Sequence, residues 1–158
     1  PRWMQIELAQ HIQNAAESQA RELNSDEIVE IFTQSFMPRT GHYALDSYQT
    51  EHDSQHHSIQ ASLLSATSTI SLHGQGTGSL SAFTDALHKA TGIDIQVVQF
   101  EEQALSEGSD AQAISFVQIS MQGQRFTAVG RDNDTLAASL QSIVNAVNIA
   151  INNGVKAA

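Results

Sequence analysis

The sequence predicts an α+β fold in which a unit of three strands and a helix, βββα, occurs twice behind a short helical subdomain. Apolar residues recur at helical steps up to residue 37 and alternate as in strands after residue 41. Beyond that break, three strand-like segments and one helix-like segment follow one another twice. Residues that match between the two units lie 56 positions apart: Gly74 and Gly130, Leu80 and Leu136, Ala82 and Ala138, Leu87 and Ile143, and Ala90 and Ala146. The constant offset predicts an internal duplication, although any two strand–turn–helix units would share part of this pattern.

Residues 1–37 are predicted to form the helical subdomain. Residues 4–17 carry apolar side chains at three- and four-residue steps, which is typical of a helix. In the segment NSDE that follows, Asn24 or Ser25 could cap a second helix whose first turn is acidic. The motif MPRTG, residues 37–41, combines a proline and a glycine and therefore indicates a break, which we take as the subdomain boundary and as a hinge.

The duplicated part spans residues 42–158, with units at about 42–91 and 93–153. Segments in which apolar residues alternate are predicted strands, and segments with apolar stripes at helical spacing are predicted helices. The predicted strands are 42–52, 57–66, 67–74, 93–103, 110–121 and 124–131, and the predicted helices are 78–90 and 134–152. One face of the fifth strand is formed by Ala113, Ser115, Val117, Ile119 and Met121.

Composition restricts the classes of function. The net charge is −10 with only seven Lys and Arg residues, so the surface would repel nucleic acid and anionic membranes. No apolar run approaches the ~20 residues of a membrane-spanning helix. The chain has no cysteine, which excludes disulfides, thiolate metal sites and cysteine nucleophiles. Its first residues, PRWMQIE, form neither a signal peptide nor a natural start, so we expect a part of a longer cytoplasmic protein.

Three glycines with the spacing GxGxG, at Gly74, Gly76 and Gly78, precede the first helix of the duplicated part. A helix start offers unpaired N–H groups and a partial positive charge, which suit an anion. The spacing matches neither a dinucleotide fingerprint nor a phosphate-binding loop, so phosphate is disfavoured. A carboxylate needs only two or three N–H donors and fits better. The alternative is that the glycines only form a tight turn from strand to helix.

The other chemically suggestive segments give no catalytic set. EHDSQHH, residues 51–57, is rich in metal-compatible side chains, but His56 and His57 would point to opposite faces of an extended chain. A solvated hairpin turn is therefore favoured over a metal site. The small residues in EEQALSEGSDAQA, residues 101–113, leave room for either a ligand or the core. No serine–histidine–acid set is readable from the spacing, so we predict no catalytic residue, metal site or cofactor in this chain.

Several motifs resemble the carboxy-terminal regulatory domain of the 2-isopropylmalate synthases. They are the GxGxG loop before a helix, a D-x-x-V strand, the segment EEQAL…GSDAQA and a final helix AS-x-x-x-x-V-x-A-x-N. The resemblance covers residues 74–150 by motif and residues 42–73 by strand pattern. Residues 1–37 resemble the helical linker that joins the catalytic barrel to the regulatory domain in that family.

The resemblance implies a duplicated regulatory domain that forms a homodimer and binds L-leucine at the dimer interface. The intact enzymes of this family are acyltransferases built on a (β/α)8 barrel with a divalent metal. They condense acetyl-CoA with 2-oxoisovalerate in leucine synthesis, and leucine inhibits them as the end product. We therefore expect this chain to lack catalytic activity and cofactors of its own and to have the metal-containing barrel of the same protein as its partner.

The resemblance also implies a set of leucine-binding residues. The leucine carboxylate would lie at Gly76, Thr77 and Gly78, at the start of the helix. From its charge, we infer that Asp110 would bind the ammonium group. The pocket for the isobutyl side chain would be formed by Leu80, Val97, Phe100, Ala104, Ala111 and Ala113.

The chain departs from the family pattern at several of these positions. Thr77 stands where the family commonly has Asn, Ser79 where it has Pro, Phe100 where it has Tyr, and Gln103 where it has His. Arg131 replaces an aliphatic residue. Two alternatives follow from these changes: a sensor of isoleucine, as in the related citramalate synthases, and a structural dimerisation module without an effector.

Overall fold

The computed structural model describes residues 1–38 and 41–156, and within them six strands and four helices occur in the predicted order. The helices are α1 (Arg2–Gln19), α2 (Ser25–Phe36), α3 (Ser79–Thr91) and α4 (Thr135–Asn152). The strands are β1 (Tyr43–His52), β2 (His57–Ser65), β3 (Thr69–Gly76), β4 (Gln96–Ala104), β5 (Ala113–Met121) and β6 (Gln124–Asp132). The predicted α+β class with two βββα units is confirmed.

The two units repeat each other in detail. Each contains an antiparallel sheet, in the order β1-β2-β3 or β4-β5-β6, followed by a helix. The register is shared, because Ile59 lies opposite Gly74 in the first sheet and Ser115 lies opposite Gly130 in the second. In each unit the register of the first strand shifts at one point, between Leu45 and Ser47 and between Val97 and Gln99. These matches support the duplication that the 56-residue offset predicts.

Close packing of a strand on its helix explains one glycine in each unit. A Cβ atom at Gly74 would lie 2.2 Å from the Ala82 carbonyl oxygen, and one at Gly130 would lie 2.0 Å from the Ala138 carbonyl oxygen. No side chain fits at such distances, because the helix backbone cannot move away without repacking the core. The two glycines let β3 and β6 pack directly against α3 and α4.

Both units contribute to one hydrophobic core. Phe83 and Leu87 of α3 pack in the same cluster as Leu140 and Ile143 of α4, together with residues of β2, β3, β5 and β6. Helix α4 also reaches the first sheet through Asn148, whose side-chain amide accepts a hydrogen bond from Tyr43 N (3.0 Å) and donates one to Tyr43 O (2.8 Å). The units are thus joined by apolar packing and by a side chain that pairs with the start of β1.

The helical subdomain covers the outer face of the second sheet. A second cluster joins Met4 of α1 and Phe36 of α2 to Ile114, Phe116 and Val129. Middle strand β5 is consequently buried on both faces, which an alternating pattern on one face does not predict. Helix α2 begins as predicted: the Asn24 side chain accepts a hydrogen bond from Glu27 N (2.9 Å), and the Glu27 carboxylate accepts one from Asn24 N.

One boundary differs from the sequence prediction, and one predicted feature falls on residues that the structure does not describe. Strand β3 extends to Gly76, so Gly74 and Gly76 belong to the strand and only Gly78 caps α3. Arg39 and Thr40, the centre of the predicted hinge, lie outside the described residues. No helix in the described part of the chain is long and apolar enough to cross a membrane.

Candidate functional site

The start of α3 combines an extended cap residue with unpaired N–H groups. Gly78 is the N-cap and has no side chain to offer to the helix. Its own N–H donates to Ser81 Oγ (3.0 Å), and its carbonyl oxygen accepts from Ala82 N (2.9 Å). Within residues 1–38 and 41–156, the N–H groups of the first three helical residues, Ser79, Leu80 and Ser81, have no hydrogen-bond partner.

The start of α4 is the same position in the second unit, and there a carboxylate fills it. Asp134, 56 residues after Gly78, is the N-cap of α4. Its Oδ1 accepts a hydrogen bond from Leu136 N at 3.1 Å, and Leu136 is the counterpart of Leu80. The second helix therefore carries its own anion, whereas the first helix leaves the equivalent N–H groups open.

The Asp134 carboxylate also connects the two units. Its Oδ2 accepts a hydrogen bond from the Tyr48 hydroxyl of β1. Burial, and then this hydrogen bond to the carboxylate, raise the pKa of Tyr48 to about 12. The start of α4 is therefore a structural junction that already carries its own carboxylate.

A pocket of about 370 Å³ lies beside β4, the start of β5 and the start of α4. It is lined by three of the predicted residues, Ala104, Ala111 and Ala113. Most of the other lining residues are polar, and Glu102 is the one that ionises; the uncharged polar ones are Gln103, Ser109, Gln112, Asn133 and Thr135. Its size falls within the roughly 300–1,000 Å³ that small-molecule sites occupy.

The remaining predicted residues lie outside this pocket. Leu80, Val97 and Phe100 are half-buried and pack against the main core. Asp110 is exposed on the loop between β4 and β5, and the pocket is lined by its neighbours rather than by its own side chain. Thr77 is exposed just before α3. Within one chain, the predicted site thus forms two groups, one at the start of α3 and one beside β4 and β5.

Gly76 has a structural role of its own. A Cβ atom there would lie 2.3 Å from Ser81 Oγ and 2.7 Å from Ala82 N. Gly78, in contrast, has no atom within 4 Å of the position of a Cβ. Close packing accounts for Gly76, whereas nothing in the packing requires a glycine at Gly78.

Arg131 does not place a charge in the pocket. Its side chain is exposed, and Nε donates to Gln112 Oε1 at 2.6 Å. Gln112 itself lines the pocket, so Arg131 holds one wall while its charged head group lies at the surface.

The histidine-rich segment forms an exposed hairpin turn, as the sequence favours. Asp53 Oδ1 accepts from Gln55 N and His56 N, both at 2.8 Å, and these backbone hydrogen bonds lower the pKa of Asp53. The rings of His52 and His57 stack across the hairpin with centroids 5.4 Å apart. In the described part of the chain, no group of three or more His, Asp or Glu side chains is placed to hold a metal ion.

The sequence did not predict a row of neighbouring polar side chains beside the pocket. Ser115 of β5 and Ser139 of α4 are both buried, and their Oγ atoms lie 3.1 Å apart. Ser139 Oγ lies 3.2 Å from Glu102 Oε2 and 3.0 Å from the Thr135 carbonyl oxygen. The available signal was the 56-residue offset, which aligns these two serines with the apolar Ile59 and Phe83.

Comparison with known proteins gives one family and many relatives. The family model for the LeuA allosteric (dimerisation) domain matches residues 22–151. A 2-isopropylmalate synthase of Corynebacterium glutamicum is 30% identical over 96% of this chain and 25% of its own length. Enzymes of the same name from Brucella melitensis and Alcanivorax borkumensis are each 32% identical, over 94% and 93% of this chain and 27% and 26% of their own lengths. The chain thus spans about a quarter of these relatives.

Proposed function

Because this chain belongs to the LeuA allosteric (dimerisation) domain family, we propose that it is the leucine-binding regulatory domain of a 2-isopropylmalate synthase. The parent protein would be a cytoplasmic acyltransferase whose catalytic barrel, with its divalent metal, lies elsewhere in the same protein. Leucine would inhibit by binding one arrangement of the intact enzyme better than another, because a ligand shifts an equilibrium only through such a difference.

One observation carries the proposal: the start of α3 lacks the carboxylate that Asp134 supplies at the start of α4. An amino-acid carboxylate bound at Gly78 would accept from the N–H groups of Ser79 and Leu80, as Asp134 accepts from Leu136. An anion at a helix start gains about 0.3–1 kcal/mol from the helix dipole. This arrangement favours a carboxylate ligand over the tight turn alone, because no contact requires a glycine at Gly78.

The pocket beside β4 and β5 would enclose the leucine side chain. Its alanines, Ala104, Ala111 and Ala113, leave the space that larger residues would fill. Burial of an isobutyl group contributes roughly 1.5–3 kcal/mol. Valine is one methylene shorter, so we expect leucine to be preferred by about 1–3 kcal/mol.

We propose a homodimer that brings the two parts of the site together. The name of the family includes dimerisation. Strand β4 is an edge strand, and Val98 on it and Leu105 just after it are exposed apolar residues. A second copy placed along this edge would bury them and could set the start of one α3 beside the pocket of the other chain.

Calorimetric titration of the native chain and of Gly78→Asp with L-leucine tests this function. The substitution supplies at α3 the carboxylate that Asp134 supplies at α4, so we expect the native chain to bind leucine and the variant to lose most of that binding. Helix capping predicts that the variant unfolds no more easily than the native chain. Thr67→Asp, the same change in charge in the exposed turn between β2 and β3, should leave binding unchanged.

Competition among leucine, isoleucine and valine in the same titration identifies the effector. If isoleucine binds more tightly than leucine, isoleucine is the effector and the proposed site is unchanged. If none of the three releases heat at millimolar concentration while sedimentation still shows a dimer, the domain is a structural dimerisation module and the sensor proposal is wrong.

A further inference from the structure

We propose that Glu102 binds the ammonium group of the amino-acid effector. The inference rests on the proposed function and adds to it the residue that distinguishes an amino acid from a simple carboxylic acid. It also assigns to Glu102 the role that charge alone suggests for Asp110.

Glu102 is the one ionisable residue that lines the pocket. It lies on β4 with its side chain exposed to the pocket that Ala104, Ala111 and Ala113 line. No other residue that lines this pocket ionises, so the pocket carries a single negative charge and no positive one. A pocket that combines small residues with uncharged polar groups and one carboxylate suits a small ligand that carries a cationic group.

One buried hydroxyl group, that of Ser139, lies within hydrogen-bond distance of the Glu102 carboxylate. Ser139 Oγ lies 3.2 Å from Glu102 Oε2, and Ser115 Oγ lies 3.1 Å behind it. The single proton of Ser139 can go either to Glu102 or to the Thr135 carbonyl oxygen at 3.0 Å, and when it goes to Glu102, Ser115 can donate to Ser139. An exposed glutamate ordinarily moves among several rotamers, and this contact with a buried side chain of α4 favours one of them.

The first unit has apolar residues at the positions of the two serines, so it serves as an internal control. The register that pairs Glu102 with Ser115 in the second sheet pairs Thr50 with Ile59 in the first. On the helix above, Phe83 stands where Ser139 stands. Ile59 and Phe83 are fully buried in the core, so the same fold packs well with apolar residues at these positions.

Buried hydroxyls in place of such residues cost stability unless they are hydrogen-bonded, and they give up apolar burial in any case. The second unit nevertheless has serines at both positions. Their Oγ atoms are in contact, and that of Ser139 also lies 3.2 Å from the one carboxylate of the pocket and 3.0 Å from the Thr135 carbonyl oxygen. A local departure from the best-packed core is expected where a site has a function. Asp110, which is exposed and outside the pocket lining, has no comparable support.

The test measures the binding of two ligands to the native chain and to Glu102→Gln. The ligands are L-leucine and 4-methylpentanoate, which is leucine without its ammonium group. Glutamine keeps the shape of the side chain and can still accept from Ser139, so the fold should persist, which thermal unfolding would check. We expect a fall in leucine affinity of about tenfold to a hundredfold, the usual effect of losing a hydrogen bond between charged groups. The affinity for 4-methylpentanoate should stay the same or rise.

Two variants serve as controls. Glu101→Gln makes the same change in charge at the adjacent position of β4, whose side chain lies on the opposite face of the sheet. Asp110→Asn tests the other acidic residue directly. Both should bind leucine within about threefold of the native affinity.

The outcomes separate this inference from the function on which it rests. Native affinity for leucine in Glu102→Gln, or equal losses for both ligands, would overturn the role of Glu102 and leave the leucine sensor standing. A loss specific to leucine in Asp110→Asn but not in Glu102→Gln would assign the ammonium to Asp110 instead. If the native chain binds no branched amino acid, the sensor proposal and the role of Glu102 both fail.

Discussion

The Tyr48 hydroxyl and the Asp134 carboxylate form a hydrogen bond between the two units, and this bond should make stability depend on alkaline pH. The pKa of Tyr48 is raised from 10.0 to about 12 in the folded chain. A raised pKa means that folding favours the protonated hydroxyl. The stabilisation is therefore complete below pH 10 and is lost as the pH rises through about 12.

Tyr48→Phe should lower the free energy of unfolding by about 1 kcal/mol at neutral pH. It should also flatten the loss of stability between pH 10 and 12, which urea unfolding at a series of pH values measures. Tyr43→Phe, at the other end of β1, is the control and should retain the alkaline loss. An unchanged pH profile in Tyr48→Phe would show that the hydroxyl contributes nothing to stability.

Single residues also mark the limit of what the sequence could predict about the site. The glycines before α3 were recognisable by spacing, but their different roles depend on distances to α3 that no spacing reveals. Gly74 and Gly76 are required by contacts with the helix, and Gly78 is not. Glu102 could not be distinguished from Glu101 in the sequence, because only the buried serines beside it single it out.

Asn148 joins one element to another, from α4 to the first residue of β1. Its side chain is buried, and it satisfies both backbone groups of Tyr43 as a neighbouring strand would. Asn148→Ala would remove the partner of both backbone groups of the half-buried Tyr43, which costs about 0.5–1.5 kcal/mol for each hydrogen bond lost. We expect faster amide hydrogen exchange at Tyr43 and a lower midpoint in urea.

Asn152→Ala provides the matched control, because Asn152 is exposed at the last turn of the same helix. It should leave exchange at Tyr43 unchanged. Protection of Tyr43 that survives in Asn148→Ala would mean that β1 is held by its pairing with β2 alone.

The elements themselves were predictable from the sequence because most of them bury one face. Apolar residues then alternate in a strand or recur at helical spacing in a helix, so the pattern predicts the type of element. The observed bounds differ from the predicted ones by only a few residues. Strand β3 is the informative exception. It continues through Gly76 because its pairing with β2 extends to His57, whereas glycines in a sequence suggest that a strand has already ended.

In the whole molecule, the helical subdomain packs on the second sheet through Phe36, which is fully buried against Met4, Ile114, Phe116 and Val129. Phe36→Ala would leave a cavity at this contact and should lower the free energy of unfolding by about 3–5 kcal/mol. Val29→Ala, an exposed apolar residue on the same helix, should change it by less than about 0.5 kcal/mol. Urea unfolding of the two variants makes the comparison.

Similar stabilities for the two variants would indicate that α2 does not depend on the sheet. This packing could not be predicted from the alternating pattern. Ala113, Val117 and Ile119 describe only the face of β5 that points toward the main core, and say nothing of its other face. The signal was present in Ile114 and Phe116, which make the strand apolar on both sides. A doubly apolar strand shows that something covers its other face but does not say what.

The two units share one hydrophobic core, and this limits how such a domain can evolve. A half-length protein carrying one copy would expose to water the surface that its twin now covers, and it would have to find another copy of itself or remain unfolded. The pair is therefore the smallest piece that recombination can move intact from one enzyme to another. Within that pair, one copy can maintain the shared core while substitutions in the other change its surface and cavities.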